Sequence, residues 1–244
     1  MRLDRDDYFA AVRADSERVA ELCVGRLDVP VPPCPGWSVR DAVVHLGFVH
    51  RINGSRLRRR SRSRDDRDSP TAPDDQQLPE WFAQGVDELV GAARDLSPAT
   101  PVWNWSGADQ TAGFWFRRMA HETAVHRWDV EAAAGDPTQI PSRLAGDGID
   151  EFFEVFWKRE PEVFTGSGEW VEIRGREGDQ QWWVGAQPEG ATIRSEAPDV
   201  AAAAVLTGPP SELFLALWRR LPAEVLEIKG NQELAARFLA SPHL

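Results

Sequence analysis

"RRMAHETAVHRWDVE", residues 117–131, places two histidines, three acids and three arginines within about four helical turns. It lies inside "AGFWFRRMAHETAVHRWDVEAAAG" (112–135), whose apolar residues recur at helical spacing and which stops at Gly135 and Pro137. The run therefore reads as a helix that carries ionisable groups where an apolar face is due. Each helical residue turns about 100°, so Glu122 and His126, four apart, are only about 40° apart. They are neighbours on one face, near Trp115, Met119 and Val125, and are expected to point together into a bundle. His121 and His126, five apart, diverge by about 140° and cannot both face one ion. His121 is expected to face solvent or to act from behind. The pattern differs from the H-E-x-x-H of zinc proteases, whose histidines are four apart.

Working outward, residues 4–25 read as an amphipathic helix through Tyr8, Phe9, Val12, Val19, Leu22 and Cys23. "LDVPVPPCPGW" (27–37) cannot continue it, because proline lacks the N–H and restricts its neighbours. Ser38 and Asp41 form a capping-box pattern at the start of "VRDAVVHLGFVHRI". "LPEWFAQGVDELVGAARDL" (78–96) is a third helix, and the 112–135 run is the fourth. The most polar stretch, "GSRLRRRSRSRDDRDSPTAPDD" (54–75), has almost no side chains suited to a core. It reads as a helix end fraying into a mobile, solvated loop, its acids at 65, 66 and 68 arguing against a nucleic-acid arm. Four helices imply a bundle over about residues 1–140.

Beyond Pro141 the pattern shifts. "GDGIDEFFEVFWKRE" reads as a helix, and "GEWVEIRG", "QQWWVGA", "ATIRSE" and "DVAAAAVLTG" as short strands. "PPSELFLALWRRL", "AEVLEIKG" and "NQELAARFLA" read as helix, strand and helix. The expected fold class is α+β, with a second, α/β domain over 141–244.

A Glu and a His on one helix face offer two metal ligands. A catalytic metal takes a third protein ligand and keeps one position open, and bundles recruit that ligand from a facing helix. The second helix offers His45 and His50. His45 borders the apolar face marked by Val44, Phe48 and Ile52, whereas His50 lies about 140° away beside Arg51 and reads as solvated. The expected ligands are His45, Glu122 and His126. At this spacing a Glu–His pair is also common as a surface pair worth a few tenths of a kcal/mol, and a lone histidine as a hydrogen-bonded core residue. Asp129 is placed to accept the other ring N–H of His126, or to pair with Arg118 or Arg127. Trp115 and Trp128 read as core. Cys34, with no evident base beside it, reads as a small buried residue and not as a nucleophile.

The bulk numbers exclude some functions. The chain has 244 residues, 42% hydrophobic and 27% charged, with a net charge of −11. That length buries a real core, and that charge creates no field to draw nucleic acid or an anionic membrane. The charged N-terminal stretch lacks the apolar core of a secretory signal, and no run of about 18 apolar residues suggests a membrane span. Two cysteines, Cys23 and Cys34, are too few for a disulfide framework. A reduced, cytoplasmic protein is expected.

The runs "CPGWSVRDAVVHLGFVHR", "FWFRRMAHETAVHRWDVEAAAG", "GDGIDEFFEVF" and "LTGPPSELFLALWRR", in this order, resemble the mycothiol-dependent maleylpyruvate isomerase family over roughly residues 5–240. The resemblance implies a DinB-like four-helix bundle followed by a small α/β domain of sterol-carrier type. It implies a divalent metal, typically zinc, on His45, Glu122 and His126, with mycothiol as thiol cofactor. It also implies an arginine of the second domain that assists an anionic substrate: Arg220, or Arg219 as second choice. Cations near a helix C-terminus are favoured in any case, by about 0.3–1 kcal/mol. The implied chemistry is thiol addition to a conjugated cis double bond, rotation and elimination; a transferase would instead retain the thiol. A small electrophile and a low-molecular-weight thiol are the expected partners, with oligomeric state open. Alternatives are a hydrolase using a metal-bound water and a metal- or ligand-binding protein without turnover.

Overall fold

The computed structural model describes residues 2–107, 109–176 and 180–241. It divides into two compact units, Arg2–Thr138 and Gln139–Leu244. The first holds four helices: α1 (Arg5–Cys23), α2 (Val39–Arg59), α3 (Leu78–Ala93) and α4 (Ala112–Ala134). α1 packs on α3 and α4, and α2 packs on the same two. The four form a ring in which α2 and α4 are neighbours, so side chains from both can meet.

Local chemistry sets the helix ends. Asp4 accepts the Asp7 N–H at 2.8 Å. The Ser38–Asp41 capping box is complete: Ser38 Oγ accepts from Asp41 N, and Asp41 Oδ2 from Ser38 N at 2.8 Å. α4 ends at Gly135, whose φ of 86° is a left-handed conformation that glycine adopts without steric cost.

α2 runs further than its sequence suggests. The expected fraying at residue 54 does not occur; the helix continues to Arg59, and Gly54, Ser55, Arg56, Leu57 and Ser61 are buried. The Arg56 guanidinium lies 5.0 Å from the Trp103 ring and 5.2 Å from that of Trp115, and Arg56 Nη1 donates to Asn53 Oδ1. The loop after α2 is tied back: Trp103 N donates to Ser61 O at 2.8 Å, Asp68 N to Ser55 Oγ at 3.0 Å, and Arg59 pairs with Asp68. Composition misleads here because an arginine stem and its flat cation fill space against aromatic faces as an apolar side chain does.

Two glycines seven apart, Gly47 and Gly54, line the α2 face against α3. A Cβ on Gly47 would stand 2.1 Å from the Trp81 ring, and one on Gly54 would stand 3.1 Å from Leu89 Cα. This stripe lets the two backbones approach, and it buries His50 between them.

The second unit opens with α5 (Ser142–Glu151), which widens into a π-type turn over Phe152–Phe156 and tightens over Trp157–Arg159 in place of one regular helix. Five strands come next: β1 (Glu169–Gly175), β2 (Gln181–Gln187), β3 (Gly190–Arg194), β4 (Ala204–Gly208) and β5 (Glu227–Gly230). Their order is β3-β2-β1-β4-β5; β1 and β4 are parallel and the other pairs antiparallel. β4 and β5 are shorter than the sequence suggests, because residues 199–203 lie outside any strand and Ala223–Val225 form a 3-10 turn. Helices α6 (Pro210–Leu217) and α7 (Gln232–Ala240) complete the unit. Phe152, Phe153, Trp157, Phe164 and Phe238 form an aromatic cluster with ring separations of 5.1–6.5 Å. Among the described residues, no helix is long and apolar enough to cross a membrane.

Gly54→Ala places a methyl against the Leu89 backbone, which cannot swing aside. The variant is expected to lose about 1–3 kcal/mol of stability by overpacking, read as the midpoint of urea unfolding.

Candidate functional site

α4 is buried almost all round: from Ala112 to Glu131 only Gly113 and Glu122 are not fully buried. Its polar side chains must therefore find partners inside the protein. Glu122 meets His45, which α2 delivers from its second turn. His45 Nε2 stands 2.7 Å from Glu122 Oε1, and His126 Nε2 stands 3.6 Å from the same oxygen. The ligand-type atoms of His45, Glu122 and His126 all lie within 4.8 Å of one another. The His45 and Glu122 side chains keep 33% and 21% of their surface open, against 8% for His126, so the cluster is reached from the His45 side.

The surrounding groups orient these three. Asp129 Oδ2 lies 2.8 Å from His126 Nδ1, so His126 presents Nε2 to Glu122. Arg118 Nη2 donates to the second Glu122 oxygen, Oε2, at 3.0 Å. The Trp37 ring stacks on His126 (5.6 Å, 13° between planes) and tilts against His45 (5.2 Å). Cys34 Sγ donates to Asp129 Oδ2 at 3.4 Å. Cys34 and Trp37 arrive together on the proline-rich connection, whose sequence indicates only a helix breaker. Its arms pair through Val31 N to Trp37 O and Val39 N to Val29 O, each 2.9 Å, and Gly36 turns at φ 86°. A tryptophan next to the capping serine of the helix that carries His45 is the signal that could have found it.

The charges couple. Burial favours a neutral Glu122, but hydrogen bonds from His126 and His45 and the Arg118 charge outweigh it and hold its carboxyl well below the usual range. Burial likewise disfavours a charged His126, but Asp129 and Glu122 together push it up to about 9. The electron-pair donors available here are Glu122 Oε1 and, once deprotonated, the two imidazole Nε2 atoms, while the guanidinium takes the other carboxylate oxygen.

Other expectations need correction. His50 is not solvated: it is wholly buried on the Gly47–Gly54 stripe, 2.9 Å from Thr123 Oγ1 and stacked on Phe82. His121 does not face solvent: it is wholly buried, with Tyr8 edge-on at 6.2 Å. The solvated reading of His50, and the solvent-facing one of the two alternatives for His121, fail because a helix with packed neighbours on two sides has more than one buried face. Arg220 lies in the other unit, just after α6, where its Nη1 donates to Trp218 O at 3.0 Å; Arg219 is exposed and donates to Ala240 O.

Comparison with known proteins meets this geometry. The family model described as mycothiol maleylpyruvate isomerase N-terminal domain matches residues 9–131, and the MDMPI C-terminal domain matches residues 143–237. The chain belongs to the mycothiol-dependent maleylpyruvate isomerase family. A crystal structure of mycothiol-dependent maleylpyruvate isomerase superposes with a TM-score of 0.59 at 12% identity, covering 93% of each chain. A histidine-to-alanine mutant of that enzyme gives 0.60 at 13%, with the same coverage. At this identity the likeness shows a common fold. No curated protein sequence matches the chain. The helical first unit and small sheet-bearing second unit are thus the fold of the maleylpyruvate isomerase family.

Burial drives the His50 pKa down to about 3. An unfolded histidine titrates near 6.5, so protons bind the unfolded chain preferentially between these values. The stability contributed by neutral His50 is fully present above about pH 6.5 and is lost as pH falls toward 3, by about 1.4 kcal/mol per unit. His50→Gln is expected to flatten the decline in urea-unfolding free energy between pH 6 and 4 by about that slope.

Proposed function

We propose that the chain is a divalent-metal enzyme that uses mycothiol to isomerise or S-conjugate a small electrophile. The observation that carries this reading is the single oxygen, Glu122 Oε1, set between two imidazole nitrogens at 2.7 and 3.6 Å. A tetrahedral ion with ligands at about 2.0–2.2 Å sets neighbouring donor atoms roughly 3–3.6 Å apart. The 3.6 Å between Glu122 Oε1 and His126 Nε2 matches that spacing, and the 2.7 Å between Glu122 Oε1 and His45 Nε2 would open by less than about 1 Å to do so. His45 Nε2, Glu122 Oε1 and His126 Nε2 would hold it. Two histidines and a carboxylate suit zinc best and iron(II) second. The ion supplies one thing, a positive centre that favours the thiolate over the thiol.

The chain's own residues do the rest. Asp129 and the Trp37 face hold His126 in one tautomer and one orientation. Half-exposed His45 and Glu122 leave the approach open on their side. Mycothiol bound there would supply a thiolate for addition to a cis double bond conjugated with a carbonyl, chemistry that permits rotation to the trans isomer when the thiol is released and gives an S-conjugate when it is kept. Arg220 is assigned to hold a carboxylate of the substrate. Water in place of the thiol would make the same residues a hydrolase; membership of a mycothiol-dependent family favours the thiol.

Protein purified without chelators should carry about one divalent ion per chain, and mycothiol but not glutathione should perturb it. His126→Ala should lose the ion; full occupancy in that variant overturns the ligand assignment. A response to neither thiol, with hydrolysis of an ester substrate, overturns the thiol chemistry. Arg220→Ala should lower kcat/KM for an anionic electrophile by about 10–100-fold, as expected for loss of a charge-assisted hydrogen bond, and leave metal content unchanged.

A further inference from the structure

We infer that Arg118 is a positioning residue that restricts Glu122 to one coordinating oxygen and so keeps a corner of the metal site vacant for sulfur. This rests on the metal reading above. A carboxylate has two equivalent oxygens, and an unrestrained one can swing to bind an ion through both. Here the two are held apart in function. Oε1 faces both imidazoles, and Oε2 accepts from Arg118 Nη2 at 3.0 Å. Arg118 is one helical turn before Glu122 on α4, and its side chain is only 3% exposed. The guanidinium is therefore desolvated, and its Nη2–H holds Oε2 on the side away from the imidazoles through one charge-assisted hydrogen bond. Turning Oε2 toward an ion would break this charge-assisted hydrogen bond inside the protein, which costs more to lose than one made in water.

Charge adds a second effect. Two neutral imidazoles and one carboxylate leave a divalent ion with a net positive charge. Arg118 draws electron density from the same carboxylate and strengthens the ion as an acceptor. A thiol reaching the vacant corner then ionises at lower pH than it would beside an unpaired glutamate. Asp129 does the opposite on His126, adding basicity through the other ring nitrogen. The site thus combines one ligand made more basic with one restrained and made less so.

The test uses the full-length protein loaded with cobalt(II), whose visible d–d absorption is intense when four-coordinate and weaker when five-coordinate. Mycothiol is the probe, its sulfur-to-cobalt charge-transfer band being titrated against pH. Arg118→Met keeps length and burial and removes the charge; Arg118→Lys restores the charge with a shorter reach. In Arg118→Met the cobalt should remain near stoichiometric, the d–d band should fall at least about twofold, and the apparent thiol pKa should rise by about one unit, a tenfold loss of thiolate binding at neutral pH. Arg118→Lys should recover part of both. If Arg118→Met does not fold, Arg118→Gln reads the same two changes. A neutral variant with the wild-type spectrum and thiol titration overturns the role of Arg118 alone. Wild-type protein that takes up no cobalt overturns this inference together with the metal reading beneath it.

Discussion

The Glu122 carboxylate sits inside a helix bundle and is shared by His45, His126 and Arg118. An isolated carboxylate there would protonate or unfold its surroundings. With three cationic or hydrogen-donating neighbours it stays ionised, and burial, the largest influence on it, is outweighed. The rest of the first unit serves this arrangement. α2 must lie beside α4 to bring His45, and the glycine stripe of α2 against α3 fixes where α2 lies. The proline-rich connection must fold back to set Trp37 against both imidazoles.

The same helix carries a second charged cluster with a different character. Arg127 binds Asp15, Glu131 and Thr138, and Arg18 reaches the other Glu131 oxygen at 3.2 Å. These bonds tie α1 to the end of α4. Burial pushes the Asp15 carboxyl up to about 6 against the pull of Arg127. Here the Glu131 oxygens are both taken by protein donors, and its side chain is 2% exposed, so nothing is left to offer a ligand. The Glu122 cluster differs in keeping an open side. Two clusters of similar composition thus divide into one that fastens helices and one that is accessible.

Much of the candidate site is legible in the residues. Glu122 and His126 share a face by spacing alone, and the structure brings them together with His45. Asp129, three residues on, meets the other nitrogen of His126, one of the two roles its position allows. The sequence offers Arg118 only as a partner for Asp129; its bond to Glu122 depends on which way the carboxylate turns, and spacing does not say. Cys34 and Trp37 lie in a stretch whose prolines announce the end of a helix and nothing about where the chain goes next. The arginine-rich run at 54–75 misleads because composition counts charges and cannot see two tryptophans, some fifty residues away, that cover Arg56.

Local geometry dictated the four helices and their caps, the strands of the second unit, and the pairing of residues one helical turn apart. These depend on backbone angles and on periods of 3.6 and 2, which are written in consecutive residues. Which faces became buried was settled only when the helices packed. His50 and His121 both look peripheral on a single helix, and both are wholly buried once α2 and α4 have neighbours on two sides. Burial is a property of what packs opposite a residue, and the residues opposite lie far away along the chain.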